Sequence, residues 1–193
     1  MSQASVILLH GRGGSSEDIL TLREEFAVPG VAWYAPQAPG HSWYPYSFLA
    51  PIEQNEPWLS QALEQIGKIA AGIAPEKLVI AGFSQGACLA TEFVARNPAR
   101  YGGLIAFTGG LIGPLGKTFE YPGSLAGTPA FLGSGDPDPH VPWSRVQESA
   151  DTLTQMGADV VVRRYPGMAH TVSPSEIAEA RKIIIRALPG GTG

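Results

Sequence analysis

Ser84 stands in Gly82-Phe83-Ser84-Gln85-Gly86, directly after the apolar run Leu78-Val79-Ile80-Ala81 and directly before a stretch with helical spacing. A serine on such a strand-to-helix turn holds its hydroxyl out at a helix N-terminus, where the dipole and unsatisfied N–H groups favour developing negative charge. Glycines on either side remove the Cβ clashes that would block the turn. The bare Gly-x-Ser-x-Gly pattern is weak, and Ser84 could be a plain helix cap. Its flanking strand and helix make it a candidate nucleophile. A serine nucleophile needs a base. The four histidines are His10, His41, His140 and His170, and His170 in Gly167-Met168-Ala169-His170 is the last of them, after a late strand. His140 precedes that strand and shares a loop with the acid candidates. In a Ser, acid, His chain order the acid follows the fifth strand, in Gly135-Asp136-Pro137-Asp138-Pro139-His140-Val141-Pro142. Asp138 is preferred as the group that orients the imidazole, with Asp136 as the alternative. The tetrahedral oxyanion also needs donors. The backbone N–H of Gln85 is one candidate, and that of Arg12, in His10-Gly11-Arg12-Gly13-Gly14 after the first strand, is the other. The Arg12 side chain reads either as a structural arginine or as an attractor of anionic substrates. His10 reads as a packed histidine and Cys88 as a small buried hydrophobe.

The elements that must position these groups are short apolar runs alternating with amphipathic stretches. Strands are expected at 6–9, 31–34, 78–81, 104–107, 130–132 and 160–162. Helices are expected from Ser16, where a capping serine precedes Glu17 and Asp18, and at 57–73, 85–96, 142–156 and 174–187. Residues 109–128 carry six glycines without a clean period and read as a loop. Strands that are apolar throughout and separated by helices imply an α/β fold: a mostly parallel sheet of about six strands with helices on both faces. Ligands in such folds bind at the carboxyl ends of the strands.

Composition narrows the function. The chain has 193 residues, enough for one domain with a sizeable core and no domain-sized lid insertion. A net charge of −4 argues against nucleic acid, which calls for a basic face. The single cysteine excludes an internal disulfide and a cysteine metal cluster. No histidine–carboxylate spacing suggests a metal and no glycine-rich loop with lysine suggests a nucleotide, so no cofactor is expected. The stretch from Met1 to Leu9 lacks a basic start and a cleavage site, and no run is long enough to span a membrane; a cytoplasmic location is expected. The tail Pro189–Gly193 is expected to be mobile.

His10-Gly11-x-Gly13, Gly82-Phe83-Ser84-Gln85-Gly86-Ala87, Asp138-Pro139-x-Val141-Pro142 and Gly167-Met168-x-His170, in that order, resemble the phospholipase/carboxylesterase family of α/β-hydrolases, over roughly residues 5 to 187. The resemblance implies a Ser84–Asp138–His170 triad with the Arg12 and Gln85 N–H groups as oxyanion hole, and a serine carboxylesterase acting on short- to medium-chain esters through an acyl-enzyme. Acyl thioesterase and lysophospholipase are the alternatives within the family, and a non-catalytic binding protein on the same scaffold is the alternative outside it. Arg12 stands where thioesterase-like members often carry an apolar residue, which points away from long acyl chains. Five aromatics between Trp43 and Trp58 either wall an acyl pocket or pin their loop to the core. Trp43, Tyr44, Phe48, Leu111 and Met168 are the candidate substrate contacts, with Ile112 and Phe119 in the same role. The expected partner is a small-molecule ester; a homodimer is left open.

Overall fold

A computed structural model describes residues 3–191. Met1, Ser2, Thr192 and Gly193, which include the start of the leader reading and the end of the expected mobile tail, lie outside the described residues. Six strands form one parallel sheet: β1 (Ala4–Leu9), β2 (Val31–Tyr34), β3 (Leu78–Phe83), β4 (Gly103–Phe107), β5 (Pro129–Asp136) and β6 (Asp159–Pro166). Their order is β2-β1-β3-β4-β5-β6. The chain steps outward from β1 to β2 and then returns to β3 on the other side of β1. The order therefore reverses between β1 and β3, and a crevice opens above their carboxyl ends, where His10 and Ser84 follow.

Alternate residues of each central strand feed two cores. Ile7, Leu9, Ile80, Leu104 and Leu132 pack under α3 (Trp58–Ala70), α4 (Gln85–Arg96) and α5 (Trp143–Gln155). Val6, Leu8, Val79, Ile105, Phe107 and Phe131 pack under α1 (Ser16–Leu20), α2 (Leu22–Phe26) and α6 (Pro174–Ala187). Burial on both faces is why these strands are apolar at every position. β6, at the sheet edge, is half-exposed.

The expected helix from Ser16 is two short helices, because Thr21 turns its hydroxyl onto the Asp18 carbonyl and ends the first at 2.7 Å. Its cap is Ser15, not Ser16: the Ser15 side chain accepts from Asp18 N. β5 runs on past Leu132 through Gly133, Ser134 and Gly135. The expected strand stops at 132, and the glycines beyond it are needed by neighbours: a Cβ on Gly135 would collide with the Met168 carbonyl.

The 109–128 loop has no helix or strand and is held by two buried charges. Arg145 on α5 is fully covered and donates to the carbonyls of Leu111 (2.9 Å), Gly113 (2.7 Å) and Pro114 (2.9 Å). Glu92 on α4, 1% exposed, accepts from Ile112 N and Tyr121 Oη and pairs with Arg96 at 2.6 Å. No helix among the described residues is long and apolar enough to cross a membrane. Arg145→Ala should cost roughly 3 kcal/mol or more in urea denaturation, since it removes the buried donor of three loop carbonyls. Retention of full stability would show that the loop is held by other contacts.

Candidate active site

β3 delivers Ser84 into a sharp turn with φ 53° and ψ −117°, a left-handed backbone costing about 1–3 kcal/mol for a non-glycine residue. The turn is held by Ser84 N donating to Phe107 O at 2.9 Å and by Cys88 N donating to Ser84 O at 3.0 Å. It also depends on its glycines. A Cβ on Gly82 would strike the Gly86 carbonyl, and one on Gly86 would strike the Leu9 carbonyl at the end of β1.

His170 lies on the loop between β6 and α6. Its Nε2 is 2.9 Å from Ser84 Oγ, and its Nδ1 is 2.8 Å from Asp138 Oδ2. The tautomer protonated on Nδ1 satisfies both contacts, donating to Asp138 and accepting from the Ser84 hydroxyl. Phe83 and His140 hold the imidazole between them, each with its ring centroid 5.0 Å away. The Asp138 side chain is covered. Its other oxygen accepts the N–H groups of His140 and Val141, both at 2.9 Å. Burial is the largest single influence on this carboxyl and raises it. The His140 N–H, the His170 ring, the Val141 N–H and the charge of His170 together outweigh burial and hold it below its ordinary value. Asp136 is engaged elsewhere, accepting from Arg164 Nε on β6 at 2.6 Å and from Arg164 Nη2.

Gln85 follows Ser84 at the start of α4, and Arg12 lines the same cavity as both; among the described residues neither backbone N–H donates to an acceptor within the protein. The Gln85 side chain is a staple: Oε1 accepts from Trp43 N at 2.9 Å, and Nε2 donates to Tyr44 O at 2.8 Å. His10, 1% exposed, uses Nδ1 on Gly11 O at 2.7 Å and accepts Ala38 N on Nε2 at 3.1 Å, fixing the loop after β1.

A cavity of about 570 Å³ opens at Ser84, walled by Tyr44, Phe48, Cys88, Val141 and the 45–47 backbone, with Arg12 and His140 at its sides. A smaller hollow of about 370 Å³ lies beside it and also touches His170, bounded by Asp18, Thr21, Glu25 and Thr171. Five candidate contacts need correction. Trp43 is 2% exposed and does not line the cavity; its Nε1 donates to His10 O at 2.9 Å, so it pins the loop to the end of β1. Leu111 is fully buried, because Arg145 takes its carbonyl and Ser149 its N–H, which turns the side chain into the core. Ile112 is buried likewise, and Phe119 packs over the Arg145 guanidinium. Met168 lines neither cavity; its backbone packs on Gly135. Conversely, the sequence marks Cys88 as a small buried hydrophobe, and it also forms part of the cavity wall. Its place one helical turn after Ser84 was the available signal. Burial pushes its thiol up to about 12, so it is no nucleophile.

The parallel sheet with a serine on the turn after β3 is that of an α/β-hydrolase. The profile of the phospholipase/carboxylesterase family matches residues 1–187, and the chain belongs to that family. The crystal structure of a phospholipase/carboxylesterase from Dyadobacter fermentans is 48% identical, with a TM-score of 0.89 over 95% of this chain and 90% of that one. The carboxylesterase SOBER1 of Arabidopsis thaliana is 25% identical over 216 residues, spanning 100% of this chain and 94% of that protein. Acyl-protein thioesterase 1 of Gibberella zeae is 31% identical over 142 residues, 72% of this chain; the match spans 59% of that protein's length.

Because the Asp138 carboxyl is lower in the folded protein than the roughly 3.9 of an unfolded chain, it stabilises the fold above that value. That contribution is lost as pH falls through the folded value. The stability gap between wild type and Asp138→Asn should therefore be largest near neutrality and close on acidification below about pH 4. Denaturation curves across this range check it, and a gap that widens in acid would contradict it.

Proposed function

We propose that the protein is a serine carboxylesterase that cleaves short- to medium-chain esters through an acyl-enzyme. The observation that carries this reading is the unbroken relay from Ser84 Oγ through His170 to Asp138, at 2.9 and 2.8 Å. His170 Nε2 takes the proton of Ser84 as Oγ bonds to the ester carbonyl carbon. The negative charge that develops on the carbonyl oxygen faces the N–H groups of Gln85 and Arg12. His170 then gives its proton to the departing alkoxide as the C–O bond breaks, leaving an ester on Ser84. Water repeats the sequence, with His170 again as base, and releases the acid. Asp138 holds the Nδ1–H tautomer and favours the imidazolium without itself taking the proton.

A cavity of about 570 Å³ with an open mouth supports a modest acyl chain rather than a long one. Thioester cleavage is the second reading. It is favoured by the Gibberella zeae relative named as an acyl-protein thioesterase, and matched esters and thioesters of one acyl chain separate the two.

Ser84→Ala and His170→Ala should each lower kcat at least about 10³-fold, with the double variant hardly worse, because members of such a relay act as a unit. Asp138→Asn should be far more damaging than Asp136→Asn. Substantial turnover in either single variant, or the reverse order of the aspartates, would overturn the assignment. Over a graded series of esters, kcat/KM should rise about fourfold per methylene and level off at about four to eight acyl carbons. A continued rise to long chains would instead favour lipid or acyl-protein substrates.

A further inference from the structure

Arg12 contributes its backbone to the reading above, but its side chain is not accounted for. The guanidinium is pinned in place: Nη1 donates to Ser42 Oγ and Pro45 O, both at 2.9 Å, and Nη2 donates to Tyr46 O at 2.8 Å. Its central carbon lies 5.9 Å from the centre of the Tyr44 ring, which walls the cavity. A guanidinium has five N–H donors. Three are used by the loop, leaving Nε–H and one Nη2–H. Two charged donors without a protein acceptor can be taken up by the two oxygens of a carboxylate. Among the described residues no carboxylate stands within 4 Å of it. A solvated arginine would be expected to wander; this one is held by two carbonyls and a hydroxyl with two donors left over.

The surroundings divide by charge. The cavity that opens at Ser84 has no aspartate or glutamate in its wall, and Arg12 is its formal charge. Two of the three loop atoms that hold the guanidinium belong to Pro45 and Tyr46, which line this cavity and not the smaller hollow. The smaller hollow, across His170, shares Arg12 but is also bounded by Asp18 and Glu25. His170 hands its proton to the departing alcohol, so the hollow that adjoins His170 without Ser84 suits the alcohol half. Its two acids offset Arg12 there, whereas no carboxylate offsets it in the cavity at Ser84.

We propose that Arg12 selects substrates whose acyl half ends in a carboxylate, making half-esters of short dicarboxylic acids the preferred class. This rests on Ser84 being the nucleophile, and it adds the chemical identity of the acyl end. The net charge of −4 works against anions in general, so a preference for an anionic acyl group requires a local cation.

The test compares ethyl hydrogen glutarate, ionised at neutral pH, with the ethyl ester of glutaric acid monoamide, which has the same shape and no charge. In wild type the kcat/KM ratio should favour the carboxylate by roughly three- to fivefold, mainly through KM, and the ratio should shrink as salt is added. Arg12→Gln should bring the ratio to about one or below, and Arg12→Lys should keep part of it, as a charge without the fork. Reading a ratio protects the test from loop damage, since a displaced oxyanion donor slows both esters alike. A wild-type ratio near one, or a ratio unchanged in Arg12→Gln, overturns the proposal and leaves the side chain as a loop staple. Calorimetric binding of the two esters to Ser84→Ala keeps the arms separate. Continued hydrolysis by that variant refutes the nucleophile, whereas equal binding of both esters refutes the carboxylate site alone.

Discussion

The start of α4 meets the end of β1 so closely at Gly86 that one methyl group would drive into the Leu9 carbonyl. Everything at the candidate site hangs on this contact. It sets the depth at which α4 begins, and so forces Ser84 into its left-handed backbone with the hydroxyl turned outward. It also brings the loop after β1, with Arg12, alongside the first N–H of the helix. Backbone strain of about 1–3 kcal/mol at Ser84 is tolerable because β3 and β4 on one side and the body of α4 on the other are buried throughout.

Around that contact the molecule uses side chains to fasten loops rather than to extend regular structure. Gln85 and Arg12 tie the 42–46 segment down from below and from outside, and Trp43 ties it to His10 O. Arg145 and Glu92 do the same for the 109–128 loop from two helices. Irregular backbone carries polar groups that a buried loop must satisfy, and charged side chains satisfy several at once. The aromatic segment is therefore divided in labour: Trp43 anchors it, while Tyr44 and Phe48 face the cavity.

Family membership and the relay point the same way but carry different weight. The family gives the fold and a broad kind of chemistry. The relay distances support the proposed roles of Ser84, His170 and Asp138, and the carboxylates present in the smaller hollow but not in the Ser84 cavity support the proposed placing of a substrate's two halves.

The strand pattern, the turn at Ser84 and the pairing of late histidine with late acid were legible because each is a local signal. A buried parallel strand is apolar at every position, and a strained turn requires glycine at set offsets. Long-range choices were less legible. The sequence prefers Asp138 to Asp136, yet the two stand two residues apart at the end of β5 and are chemically identical; the fold aims one at His170 and gives the other to Arg164. Leu111 and Trp43 are apolar residues in loops, and whether they face a cavity or the core depends on where Arg145 and His10 lie in space. The sequence by itself determined which elements form and which residue types could react. The tertiary structure alone decided which of them meet, because direction across a gap of many residues is a property of packing and not of spacing.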